Sequence, residues 1–87
     1  MGDEMSADVR SSLGQLLEEA RIAATAGDSE TAGALLESAY TVAMNKLPEG
    51  PRRDRLRHGC LSASEALPDG TLAAAYIAAM GRRLPDR

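Results

Sequence analysis

Phenylalanine and tryptophan are absent from these 87 residues, and Tyr40 and Tyr76 are the only aromatic side chains. The core must therefore be aliphatic, and much of it small, because 16 of the hydrophobic residues are alanine. Alanine buries little area but lets helices approach closely, which favours helix pairs at short distance or a core completed by a second chain. Cysteine occurs once, at Cys60, which excludes an intramolecular disulfide and makes a reduced, cytoplasmic protein the expectation. Histidine also occurs once, at His58, so no zinc set of three or four Cys and His ligands can be assembled, and no metal or other cofactor is expected. On a helix, residues two apart face different ways, which disfavours a Cys–His nucleophile pair. Cys60 falls on an apolar stripe and reads as a small buried thiol.

Other absences narrow the function further. There is no glycine-rich phosphate loop, no Gly-x-Ser-x-Gly and no His-Glu-x-x-His. The carboxylates Glu18, Glu19, Glu65 and Asp69 read as solvated groups on amphipathic helices rather than as acid–base pairs. No run reaches the ~18 apolar residues of a membrane span, and the first residues lack the basic and apolar regions of a signal peptide. The expectation is a protein that is not an enzyme and does not engage a membrane. Nine of the ten basic residues are arginine, a bias common in GC-rich bacterial genomes.

What is present is helical periodicity. At about 100° per residue, Leu13, Leu16, Leu17, Ala20, Ala23 and Ala24 fall on one stripe, with Glu18, Glu19 and Arg21 outside it. Ser6 is placed to cap a helix running from Ala7 to about Ala26, behind an acidic, frayed lead-in. Gly27 takes the left-handed backbone that stops a helix, and Asp28 or Ser29 can cap the next. That second helix ends at about Leu47, with Lys46 in its last turn and Pro48 and Gly50 beyond. Pro48–Pro51 is the strongest break in the chain. Pro51 suits the start of a third helix, Arg52 to about Leu67, on which Leu56, Cys60, Ala63 and Leu67 share a face. Pro68-Asp69-Gly70 forms a turn, with Asp69 or Thr71 capping a fourth helix from Thr71 to about Leu84. The fold predicted is all-α, four helices in two antiparallel hairpins (7–47 and 52–84) joined by the 48–51 linker, in one domain over residues 1–87.

The first hairpin also carries small residues at Ala20, Gly27, Ala32 and Ala39, with large apolar ones at Leu16 and Leu36. Over about residues 13–47 this spacing resembles a tetratricopeptide-type repeat, a family that stacks helical hairpins into peptide-binding grooves. Glu19, Ala23 and Met44 depart from the family's usual Leu, Tyr and Pro. Any antiparallel hairpin needs the same small residues at its crossing, so a repeat-like stack and a small four-helix bundle both remain open. A shift of 43 residues superposes Leu13 on Leu56, Ala20 on Ala63 and Gly27 on Gly70, which supports a hairpin–hairpin plan.

Charge divides with the halves. Residues 1–50 carry nine acidic and three basic side chains, while residues 51–87 carry four acidic and seven basic. Complementary fields of this kind suit two hairpins, or two copies of the chain, that meet. Arg52, Arg53, Arg55, Arg57 and His58 crowd one helix start, where the dipole prefers anions, and form the best candidate site for a partner. Two further features point to self-association. Ile22 and Leu61 lie off their helices' apolar stripes, and the uncharged run LAAAYIAAM places Ala73, Ile77 and Met80 on a flank away from Leu72. A homodimer with the fourth helix at its interface is expected from these. The leading functional expectation is a small non-catalytic helical protein–protein interaction module. The alternatives are a nucleic-acid-associated protein using the Arg52–His58 cluster, although the fourth helix offers few side chains able to read a base edge, and an accessory subunit of an enzyme.

Overall fold

Ser6 opens the first helix, α1 (Ala7–Thr25), its hydroxyl accepting from the Val9 backbone N–H at 3.2 Å. The same device recurs at two later turns. Asp28 opens α2 (Ser29–Lys46) by accepting from Thr31 at 3.1 Å, and Asp69 opens α4 (Gly70–Arg82) by accepting from Leu72 at 3.2 Å. Of the two candidate caps at each turn, the aspartate takes the role. Hydrogen bonds from Thr31, first its side chain and then its backbone, hold the Asp28 carboxyl below its ordinary value. Ser29 is freed for another contact, its hydroxyl donating to the Leu67 carbonyl at 3.1 Å and tying the first hairpin to the second. The remaining helix, α3 (Pro51–Ala66), begins on proline with no side-chain cap. Gly27 sits at φ 83°, the left-handed conformation that ends α1. Each boundary lies within a residue or two of the expected one, because each is decided by chemistry a few residues wide.

This computed structural model describes residues 5–84. In it α1 packs on α2 and α4, and α3 packs on α4 and α2. Each helix thus has two neighbours, and α4 returns to α1 to close the ring. The result is the four-helix bundle, one of the two arrangements that the hairpin pattern leaves open, with extents of 38 × 18 × 18 Å. Leu13, Leu17, Leu36 and Ile77 are the large side chains fully enclosed along its axis, and alanine supplies eight of the 17 buried residues among those described. Ala20, Ala32, Ala43, Ala63 and Ala73 have no exposure at all, as expected where helices meet over a methyl group. Closer still is Gly70, since a Cβ there would run into the backbone carbonyl oxygen of Ala24 at the end of α1. Met5, expected in the frayed lead-in, is buried at the base of the core with 4% exposure.

The phase of α4 differs from the expected one. Ala73, Ile77 and Met80 form its inward face, with exposures of 0%, 1% and 7%, whereas Leu72 and Tyr76 stand out at 47% and 42%. A helix that is apolar nearly all round has no polar side to mark which way it faces, so packing against α1 and α3 decides. The three residues assigned to a dimer interface are therefore core residues of the monomer. Ile22 and Leu61 do reach the surface, at 53% and 48%. By helical spacing Ile22 lies on the side of α1 shared with Glu18 and Thr25, and Leu61 lies on the side of α3 away from Gly59.

Candidate functional site

The N-terminal half of α3 runs antiparallel to the C-terminal half of α4, and the two leave a groove of about 490 Å³ between them. Its floor is Leu56, Met80 and Leu84, and its width comes from small residues, Gly59 on one wall and Ala79 on the other. A Cβ at Gly59 would fall on the Met80 side chain, so glycine here leaves room for the Met80 thioether to lie against α3. Tyr76 and His58 flank the groove, and Arg52, Arg55 and Arg83 supply its cationic rim.

The five-residue basic cluster read from the sequence is divided by this geometry. Arg52, Arg55 and His58 line the groove. Arg53 turns away, its side chain only 21% exposed and its guanidinium 3.7 Å from Glu49 across the Pro51 break. Arg57 lies 4.0 Å from Asp54, the one carboxylate among the described lining residues. These pairs, like the exposed pair of Arg21 with Glu18, join residues three or four apart on the surface, where each contributes little to stability. Among the described residues Arg55 and Arg83 have no ion pair. Sequence reasoning missed Tyr76, Ala79, Arg83 and Leu84, which come from α4 and the residues just after it, 18 or more positions beyond His58. The one available signal was Arg83 at the end of an apolar helix antiparallel to α3.

A second, smaller groove of about 340 Å³ follows the α1–α4 seam. Glu18 and Arg21 close one wall of it through their mutual ion pair, which raises the arginine's pKa and lowers the carboxyl's through the hydrogen bond they share. Its other lining residues include Gly14, Ala78, Gly81 and Arg82.

Cys60 lies beneath the α3 surface with 3% exposure, and burial pushes its thiol up to about 11. A neutral, enclosed thiol is a poor nucleophile. It also carries a pH dependence with a definite sign. Below the ordinary value of 9.0 both folded and unfolded chains hold the proton; between there and about 11 the unfolded chain has lost it while the folded chain keeps it. Stability therefore falls as pH rises through this window, by at most ~1.4 kcal/mol per pH unit. Denaturant titrations at pH 8 and pH 10.5 are expected to show a larger loss for the wild type than for Cys60→Ala, with the other titrations common to both. Equal losses would mean that the thiol is not shielded.

Among the described residues no group of three or more His, Cys, Asp and Glu side chains could hold a metal ion, and no helix is long and apolar enough to cross a membrane. Over residues 1–86 the chain matches the family described as "Domain of unknown function (DUF8101)", and it belongs to that family. No curated protein and no solved structure matches it.

Proposed function

We propose that this member of the DUF8101 family is a small non-catalytic interaction module that docks a protein partner on its α3–α4 face. One observation carries the reading: the exposed Leu72 and Tyr76, the apolar-floored groove, and Arg55 and Arg83, which have no ion pair among the described residues, all lie along a single flank. Interfaces are built this way, with an apolar centre, aromatic and arginine anchors and a polar rim. The exposed side chains of α1 and α2 are mostly acidic, small or polar. In this reading the partner is met in the cytoplasm, the compartment that a lone unpaired cysteine favours.

Affinity capture with three forms of the chain tests it. Tyr76→Asp changes the proposed face at a side chain that stands 42% exposed. Glu37→Lys changes the exposed surface of α2, diagonally across the ring. A partner that is identified, purified and titrated back is expected to bind the wild type and Glu37→Lys equally, and Tyr76→Asp at least ~10-fold more weakly. Loss of binding in Glu37→Lys, with Tyr76→Asp unaffected, would place the docking surface elsewhere.

A further inference from the structure

The flank that α4 presents beside α3 has a definite length and a definite charge pattern. Leu72, Tyr76, Ala79 and Arg83 recur at spacings of four, three and four, so they form one line along the helix. From first to last that line is about 17 Å long at ~1.5 Å per residue, which matches three turns of a second helix. Its apolar end is Leu72 and Tyr76; its middle is the hollow at Gly59 over Met80; its far end carries Arg55 and Arg83. The Leu72 end has no cation nearby in sequence and holds the Asp69 carboxylate that caps α4. Positive charge is therefore confined to one end of an otherwise apolar track.

Resting on the reading of this face as a docking surface, we propose that its occupant is an acidic amphipathic helix, about three turns long, contributed by the partner protein. The helix lays its apolar stripe over Leu72, Tyr76 and the hollow at Gly59, and its carboxylates meet Arg55 and Arg83. Charge complementarity selects the sign, because Asp54 is the only carboxylate among the described lining residues and is already turned to Arg57. The apolar track selects a peptide over a nucleic acid. Phosphate backbones call for cations spread along the whole contact, and here Arg53 and Arg57, which could extend the row, turn to Glu49 and Asp54 instead.

Fluorescence anisotropy on the full chain tests the assignment with a designed helical peptide of about 15 residues, leucines at the spacing of a single stripe and glutamates in one terminal turn. Two control peptides carry lysine for glutamate or serine for leucine, and single-stranded and duplex DNA of ~20 nucleotides serve as competing ligands. The acidic peptide is expected to bind in the range of about 10–100 μM at low salt, with both control peptides and both DNAs at least ~10-fold weaker. The double variant Arg55→Glu/Arg83→Glu, with its helix content checked by circular dichroism, is expected to lose the acidic peptide and gain the lysine peptide. A purely structural role for the two arginines would not produce that exchange. Equal binding of acidic and basic peptides, no binding of the acidic one up to ~1 mM, or tighter binding of either DNA overturns the proposal. If the peptides fail while Tyr76→Asp still releases the captured partner, the face docks a protein but not an acidic helix. If Tyr76→Asp also has no effect, both readings fall.

Discussion

Replacing Ile77 by aspartate is expected to unfold the chain. Ile77 is 1% exposed on the inward face of α4, where neither a hydrogen-bond donor nor a cation is among the buried residues described. Removing the branched side chain forfeits about 2–5 kcal/mol of burial and cavity energy. Placing a carboxylate there adds several kcal/mol more, whether it stays charged or takes up a proton. Domains typically have only about 5–15 kcal/mol of total stability, and a chain this short sits toward the lower end. Far-UV circular dichroism should show loss of helix in Ile77→Asp, whereas Ile77→Val should fold with a cost of about 0.5–1.5 kcal/mol. The neighbouring Tyr76→Asp is the matched control, because its side chain projects beside the groove and the fold is expected to survive. A helical Ile77→Asp chain would mean that α4 is rotated about its axis, with its Leu72 and Tyr76 side inward.

Gly70→Ala is expected to destabilise the bundle although it improves helix propensity. Alanine in a helix interior is worth about 1 kcal/mol over glycine. At Gly70 the added methyl would meet the Ala24 carbonyl oxygen, a backbone atom that cannot rotate away. Either the start of α4 lifts from the end of α1 or the α1 terminus distorts, and overpacking of this kind costs about 1–3 kcal/mol. Gly81 lies in the same helix, and a methyl added there would have nothing within 4 Å, so Gly81→Ala should gain about 0.5–1 kcal/mol. Chemical denaturation of the two variants should give shifts of opposite sign. A stabilised Gly70→Ala would show that α1 and α4 meet more loosely than this close approach implies.

Much of the fold was legible because it rests on short-range chemistry. Ser6, Asp28 and Asp69 act on backbone N–H groups three residues away, Gly27 acts on its own dihedral, and Pro51 starts a helix by lacking a donor. The amphipathic stripe of α1 was legible for a related reason, since Glu18, Glu19 and Arg21 mark its outside. The phase of α4 was not, because alanine, leucine, tyrosine and isoleucine surround that helix and none of them declares a direction. The groove was half legible. Arginines clustered at the start of α3 were visible as a group, but which of them face the groove depends on where Glu49 and Asp54 sit and on α4 lying alongside. Gly59 carried no signal by itself. Its meaning appears only once Met80, 21 positions later, is packed against it.

The closed ring has a kinetic corollary. Three of its four helix contacts, α1 with α2, α2 with α3 and α3 with α4, join consecutive elements through tight connections, and only the α1–α4 seam joins the two extremes of the chain. Low average contact order of this kind goes with folding in microseconds to milliseconds. The local hairpins can form at little loop-closure cost, while the seam must wait for the whole chain to come round. Exchange of amide protons in α4 should accordingly report a partly open species in which that helix has swung off α1. Such a species uncovers Ile77 and the Ala24 carbonyl together, making the seam the natural entry point for proteases and for aggregation.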